Sequence, residues 1–123
     1  MKTERIKMKK HASKDIPLTD AWDEYEKSLK VRKLSEYSII TKRTVFIDFM
    51  KFCGDTIKTT GQVTNTLIDD YILWLQDKGN RDTTINSKST NFKPFIHWCM
   101  DNGYCDDVKF KHIKEGKTIK KTY

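Results

Sequence analysis

Apolar side chains recur every three or four residues in four separate stretches of this chain, and this spacing constrains its fold more than any other feature. In the first stretch, Leu18, Trp22, Tyr25 and Leu29 follow one another at intervals of four, three and four residues. Such intervals place side chains on one face of an α-helix, whereas a strand requires strict alternation. No strand pattern of any length precedes Gly103. The sequence therefore predicts an all-α fold.

Capping and turn residues bound four predicted helices, which cover about 18–32, 35–53, 64–78 and 84–102. Gly103 is expected to end the last of them in a left-handed turn, and Pro94 inside it is expected to kink or split it. The predicted class is a compact all-α bundle of four to five short helices, with basic flexible arms at both ends. The cap candidates, in chain order, are Thr19, Ser35, Thr64 or Asn65, and Asp82 or Thr83.

The length and hydropathy exclude several protein classes. A chain of 123 residues allows one domain, and a mean hydropathy of -0.73 without a long apolar run indicates no membrane partner. The basic amino terminus has no apolar stretch behind it, so nothing in it directs export. Three cysteines without a Cys-x-x-Cys spacing suit a reducing compartment. We therefore expect a cytoplasmic protein.

The net charge of +7 is concentrated at the two ends of the chain. Residues 1–14 and residues 108–123 each carry six basic side chains and one acidic side chain, which leaves residues 15–107 with a net charge of -3. Basic tails fit a nucleic-acid partner and also fit simple solubilising segments. We expect a basic arm over 1–15, a helical domain over 16–107 and a basic linker over 108–123.

No catalytic or metal-binding pattern is present in the sequence. His97 and Cys99 come closest to a ligand pair, but residues two apart on a helix point in different directions. The adjacent carboxylates of Asp69 and Asp70 splay apart on a helix for the same reason. No glycine-rich phosphate loop or serine nucleophile motif occurs. The sequence predicts no enzyme activity and no cofactor for this chain.

Acidic and basic side chains are sorted between the predicted helices. The first and third helices carry most acids, whereas the second and fourth carry hydroxyl, amide and basic groups away from their apolar stripes. Short polar groups and cations of this kind bind phosphate oxygens, and Asn or Lys can also read base edges. The alternative is a set of local bonds from side chain to backbone near helix starts. Two such helices side by side would form a nucleic-acid face.

Four segments of the chain resemble a known family. Residues 34–39 (LSEYSI) lead to Phe46, Phe49 and Phe52, and residues 84–86 (TIN) lead to Phe92, Phe95 and Trp98 before 101–104 (DNGY). Residues 18–25 and 67–71 fit the same pattern. Over 16–107 the chain is similar to the amino-terminal core-binding, SAM-like domain of tyrosine recombinases, the phage-type integrases. Lys42 and Ser38 stand where that family often has Tyr and Thr.

The resemblance implies half of a clamp around double-stranded DNA, with the second and fourth helices against the major groove and backbone. Strand cleavage in the family belongs to a following domain with an Arg, a Lys, a His-x-x-Arg and a Tyr, a set that this chain lacks. Residues 108–123 resemble the interdomain linker. The implied partners are duplex DNA, the carboxyl-terminal catalytic domain of the same protein and, only on DNA, other recombinase protomers.

Roles for individual residues follow from their positions on the second and fourth helices. Phosphate contacts are predicted for Ser35, Ser38, Thr41, Thr84 and Ser87. The predicted cations are Lys42, Arg43, Lys88 and Lys93, with Lys111 and Lys114 lying along the backbone from the tail. The predicted base readers are Asn86 and Asn91.

Two alternatives remain open, namely a helical protein-interaction module and a small helix-turn-helix regulator that binds a palindrome as a dimer.

Overall fold

The computed structural model describes residues 14–110 and contains four α-helices joined by short turns. They are α1 (Leu18–Val31), α2 (Glu36–Cys53), α3 (Asn65–Asp77) and α4 (Asp82–Asp101). A single 3-10 turn, Thr60–Gln62, lies between α2 and α3. Within the described range no strand forms, and the one β-like contact is an isolated bridge between Pro17 and Thr59. The all-α prediction is confirmed.

Two of the predicted helix caps form. The side-chain oxygens of Ser35 and Thr64 accept the backbone N–H of Ser38 and Leu67, each at 3.1 Å. These bonds satisfy amides that a helix start leaves without partners. The cap predictions for the other two helices were wrong. Helix α1 begins two residues earlier than a cap at Thr19 implies, and α4 begins one or two residues earlier than a cap at Asp82 or Thr83 implies. The observed N-cap residues are Pro17 and Arg81, and neither makes a side-chain cap bond.

Pro94 does not split α4, which runs unbroken from Asp82 to Asp101. Its ring is exposed, while Phe92 and Phe95 on either side of it are fully buried. Burial of these two rings keeps the helix continuous, although the proline removes one backbone hydrogen bond. Gly103 ends the segment with a φ of 76°, in the left-handed conformation that glycine adopts readily.

Aromatic rings form the centre of the bundle. The ring of Phe49 lies 4.6 Å from that of Phe92, and the ring of Trp22 stacks on Phe46 at 4.7 Å. Phe95 closes the group, with its centroid 5.1 Å from that of Trp22. These contacts join α1, α2 and α4 around one core, and α4 touches all three other helices. The aromatic core therefore fixes α2 and α4 side by side.

The described ends of the chain pack onto the bundle. Val108 is buried, the ring of Phe110 lies 6.2 Å from that of Phe92, and the Lys109 N–H donates to Asn65 Oδ1 at 2.7 Å. At the other end, Asp15 Oδ1 accepts the N–H of Gly61 at 2.9 Å. Residues just outside the predicted domain, 16–107, therefore contact the bundle at both ends, and Val108 is buried in it.

The remaining sequence expectations concern cysteines and membranes. Cys53, Cys99 and Cys105 are free and buried, so no disulfide stabilises the described bundle. Among residues 14–110, no helix has the length and apolar character needed to cross a membrane.

Candidate nucleic-acid interface

A groove of about 500 Å³ lies between α2 and α4 on the surface of the bundle, and we name it the α2/α4 groove. Its walls combine hydroxyl groups, one amide and one ammonium group with two apolar side chains. The lining residues are Ile40, Thr41, Thr44, Val45, Thr83, Thr84, Ser87, Lys88 and Asn91. The groove therefore gathers five residues that the sequence places on a nucleic-acid face, namely Thr41, Thr84, Ser87, Lys88 and Asn91.

The hydroxyl groups on the α2 wall are bonded to their own helix. Thr41 donates to the carbonyl of Tyr37 at 3.0 Å, and Thr44 donates to that of Ile40 at 2.9 Å. Their oxygens still accept hydrogen bonds, but donation to a phosphate requires rotation of the side chain. On the α4 wall, Thr84 and Ser87 are exposed. The α4 wall is therefore the better donor surface.

The first turn of α4 forms one end of the groove. Its N-cap residue, Arg81, makes no side-chain cap bond, and Thr83 and Thr84 belong to both the turn and the groove lining. Amides at a helix start carry a partial positive charge and bind phosphate oxygens well. The carboxylate of Asp82 in the same turn opposes that attraction in part. The hydroxyl-bearing residues of the first turn thus line this end of the groove.

Lys88 is the single cation among the groove lining, and it already has a carboxylate partner. Its Nζ lies 3.3 Å from Asp48 Oδ2, which also accepts the hydroxyl of Tyr71 at 2.9 Å. The Nζ of Lys78 approaches the same carboxylate at 3.9 Å. This network ties α2, α3 and α4 together and leaves the groove close to neutral. A phosphate in the groove would have to compete with Asp48 for Lys88.

Arg43 serves as a cross-link between helices. Its Nε and Nη2 donate to the two carboxylate oxygens of Glu26 at 2.8 and 2.7 Å, which joins α2 to α1. Glu26 also accepts from Trp22 Nε1 at 2.9 Å and lies 3.4 Å from the Lys30 ammonium group. The hydrogen bonds from Arg43 lower the pKa of Glu26 to about 2. In this fold Arg43, which the sequence predicts as a DNA-contacting cation, is paired with Glu26.

Two other residues that are predicted to contact DNA are buried or half-buried in the fold. Asn86 is buried, with 8% of its surface exposed. Lys42 falls on the buried stripe of α2, between Ile39 and Phe46, and is half-buried. Burial and the positive charge of Arg32 lower the pKa of Lys42. The fold therefore leaves one predicted base reader buried and one predicted cation half-buried.

The other predicted residues lie apart from the groove. Ser35 and Ser38 share a hydrogen bond of 3.0 Å at the start of α2, where Ser35 caps the helix. Lys93 is exposed on the side of α4 that faces α1. Asn91 lines the groove, and its Nδ2 donates to the Ser87 carbonyl at 3.1 Å. Lys111 and Lys114 lie outside the described residues.

This surface also has an apolar part to which the sequence predictions assign no role. Tyr37, Ile40 and Ile47 are exposed along α2 to 79%, 45% and 48%, and Ile40 lines the groove. Their intervals of three and seven residues place them on one helix face outside the core stripe. Such an off-stripe apolar set is readable from the sequence once the core stripe is known.

Comparison with known proteins identifies a domain family. A family model described as the phage integrase SAM-like domain matches residues 17–118. No curated protein and no solved structure matches the chain.

Proposed function

Because the chain belongs to the phage integrase SAM-like domain family, we propose that it is the noncatalytic duplex-DNA-binding module of a tyrosine recombinase. The α2/α4 groove is the proposed contact with the DNA backbone. The observation that carries the proposal is that Thr83 and Thr84 in the first turn of α4, together with Ser87, line this groove. These groups bind phosphate oxygens without any requirement for base sequence.

Charge complementarity comes from outside the groove. Lys88 is held by Asp48, so long-range attraction for DNA depends on the lysine-rich segments 1–14 and 108–123. On binding, Lys88 exchanges the carboxylate of Asp48 for a phosphate, while Tyr71 and Lys78 remain as partners of Asp48. Ser35, Ser38 and Thr41 on α2 and Asn91 on α4 are proposed to flank the duplex. The segments would close around the DNA as the catalytic domain of the same protein docks on its opposite side.

Duplex titration by fluorescence anisotropy tests this proposal. Thr84→Glu places a carboxylate among the proposed phosphate ligands, so we expect affinity for any duplex to fall by about tenfold or more. Thr90→Glu is the matched control, since Thr90 is an exposed threonine on the same helix and lies outside the groove. We expect the control to retain the affinity of the unmodified chain within about twofold.

The salt dependence of the same titration supplies a second readout. Duplex affinity should fall steeply with salt as counterions are released, and the logarithmic slope should shrink by about one in Lys88→Gln but not in Lys27→Gln. Lys27 is exposed on α1, away from the groove. Equal losses in Thr84→Glu and Thr90→Glu, with equal slopes in both lysine variants, would contradict a contact through the α2/α4 groove.

A further inference from the structure

A second concave site lies between α1 and α4, and we name it the α1/α4 pocket. It measures about 570 Å³ and shares no lining residue with the α2/α4 groove. Its floor is aromatic, and its rim carries several charged and polar groups. The lining residues are Tyr25, Ser28, Arg32, Lys93, Pro94, His97, Trp98 and Asp101.

Tyr25 contributes a buried hydroxyl group without a partner to this pocket. Only 2% of its surface is exposed, and among the described residues no hydrogen-bond partner reaches its Oη. Three rings hold the Tyr25 ring in place, those of Trp22 at 5.2 Å, Phe95 at 5.3 Å and Trp98 at 5.7 Å. The hydroxyl is closed off from solvent in this arrangement, and a small movement of the exposed rim side chains of Lys93 and His97 would let a ligand in the pocket supply the missing bond.

The hydroxyl is a donor at neutral pH. Burial raises the pKa of Tyr25, and the positive charge of Arg32 opposes that effect only in part. A protonated phenol donates one hydrogen bond to an oxygen acceptor. The ligand should therefore present an oxygen to Tyr25 Oη.

The rim of the pocket is mostly basic. Arg32, Lys93 and His97 line it, and the charge of Arg32 also reaches Lys42 on α2. No ion pair within 4.0 Å links Arg32, Lys42 or Lys93 to an acidic group in residues 14–110. The one carboxylate in the lining, that of Asp101, has an interaction of its own. Two cations, Arg32 and Lys93, thus line the pocket together with the single carboxylate of Asp101.

Helix dipoles explain the position of Arg32 at the pocket but not that of Lys93 or of the Tyr25 hydroxyl. Both α1 and α4 end at the pocket, and the partial negative charge of a helix carboxyl end attracts cations such as Arg32. Lys93 lies two turns before the end of α4, beyond the range of that effect. The dipoles also provide no partner for the buried hydroxyl of Tyr25. An anion in the pocket would pair with Lys93 and accept a hydrogen bond from the hydroxyl.

We propose that the α1/α4 pocket binds a phosphoryl group, with Tyr25, Arg32 and Lys93 as its ligands. Donors from two helices converge on the space, and a phosphoryl group offers three oxygens in different directions, whereas a carboxylate offers two in one plane. The planar guanidinium of Arg32 suits bidentate contact with phosphate oxygens. Trp98 and Pro94 add apolar surface for the ester group that carries the phosphoryl.

The phosphoryl group could belong to a DNA backbone or to a free phosphate ester, and both share the chemistry that the pocket recognises. The assignment does not depend on the α2/α4 groove, because the two sites have separate lining residues. A negative result at one site would therefore not contradict the proposal for the other site.

Nuclear magnetic resonance of the isotope-labelled full chain tests the site with inorganic phosphate. The indole N–H of Trp98 lies at the pocket and reports binding, while that of Trp74 on α3 serves as an internal control. At constant ionic strength, set with sodium chloride, we expect a saturable shift of the Trp98 signal and none at Trp74. Tyr25→Phe and Lys93→Gln should each weaken phosphate binding about fivefold or more, and Lys27→Gln should not.

The variants separate binding from folding. Tyr25→Phe keeps the ring and removes an oxygen that has no partner, and Lys93 is exposed, so both variants should melt near the unmodified chain. If Tyr25→Phe does not fold, Lys93→Gln carries the test. The site is overturned by the absence of a saturable Trp98 shift, or by a shift that persists in both variants. An equal response to acetate overturns the assignment to a phosphoryl group.

Titration of the same variants with duplex DNA identifies the source of the phosphoryl group. If Lys93→Gln weakens duplex binding as it weakens phosphate binding, the source is the DNA backbone. If only phosphate binding is lost, the source is a free phosphate ester. Thr84→Glu should leave the phosphate titration unchanged, which keeps this result independent of the groove.

Discussion

At the scale of single residues, the partner of a charged group decides its role. Arg43 and Lys88 both lie on helices whose composition suggests DNA contact, yet one joins α1 to α2 through Glu26 and the other joins α4 to α2 through Asp48. Glu26 and Arg43 are 17 positions apart in the sequence, and Asp48 and Lys88 are 40 positions apart. Patterns of three or four residues carry no information at such separations.

The Glu26–Arg43 pair predicts a specific dependence of stability on pH. The pKa of Glu26 falls from 4.5 to about 2 on folding, so between these values the unfolded chain binds a proton that the folded chain does not. The free energy of unfolding should therefore decrease as pH is lowered through this window, and the contribution present above it is about 1–2 kcal/mol, allowing for the exposure of Arg43. Urea denaturation at a series of pH values measures it.

Glu26→Gln should lack this part of the acid destabilisation. Asp23→Asn, which alters an exposed carboxylate one turn earlier on α1, should retain it. Identical pH profiles for Glu26→Gln and the unmodified chain would show that the pair contributes nothing to stability.

At the scale of elements, local signals set the positions of the helices. Ser35 and Thr64 cap α2 and α3 where the sequence predicts, because each bond spans only three residues. Pro94 is the exception among these local signals. Its effect on α4 depends on Phe92 and Phe95, whose burial against other helices keeps the element continuous.

Removal of the α3 cap should measurably destabilise the bundle. Thr64→Ala removes the oxygen that accepts the Leu67 N–H, and we expect the free energy of unfolding to fall by about 1 kcal/mol. Thr66→Ala is the matched control, since Thr66 is exposed in the first turn of the same helix and alanine favours helices. Urea denaturation that gives the same midpoint for both variants would exclude a stabilising cap.

At the scale of the whole molecule, segments outside the helices complete the core. Tyr104, Cys105 and Val108 follow α4 and are buried, and the hydroxyl of Tyr104 donates to Glu24 on α1 at 2.8 Å. The match of the family model to residues 17–118 extends past α4 in the same direction. The segment after Gly103 therefore belongs to the folded domain as far as Phe110.

Truncation tests how much this segment contributes. A chain that ends at Asp107 loses the buried side chain of Val108 and the contact of Phe110 with Phe92, and its free energy of unfolding should be lower by about 2–4 kcal/mol than that of a chain that ends at Phe110. Thermal and urea denaturation of the two chains give the comparison. A difference below about 0.5 kcal/mol would mean that Val108 adds no core burial.

The sequence by itself determined the helical class, the approximate bounds of four helices, two of their caps and the resemblance to the integrase SAM-like family. These follow from residues three or four apart, because helix periodicity and capping are local. Only the tertiary structure decided that Thr84 and Ser87 share a groove with α2, that Asn86 is buried and that Glu26 neutralises Arg43. Those outcomes depend on how the helices cross, and the crossing is set by the fit of aromatic side chains from distant parts of the chain.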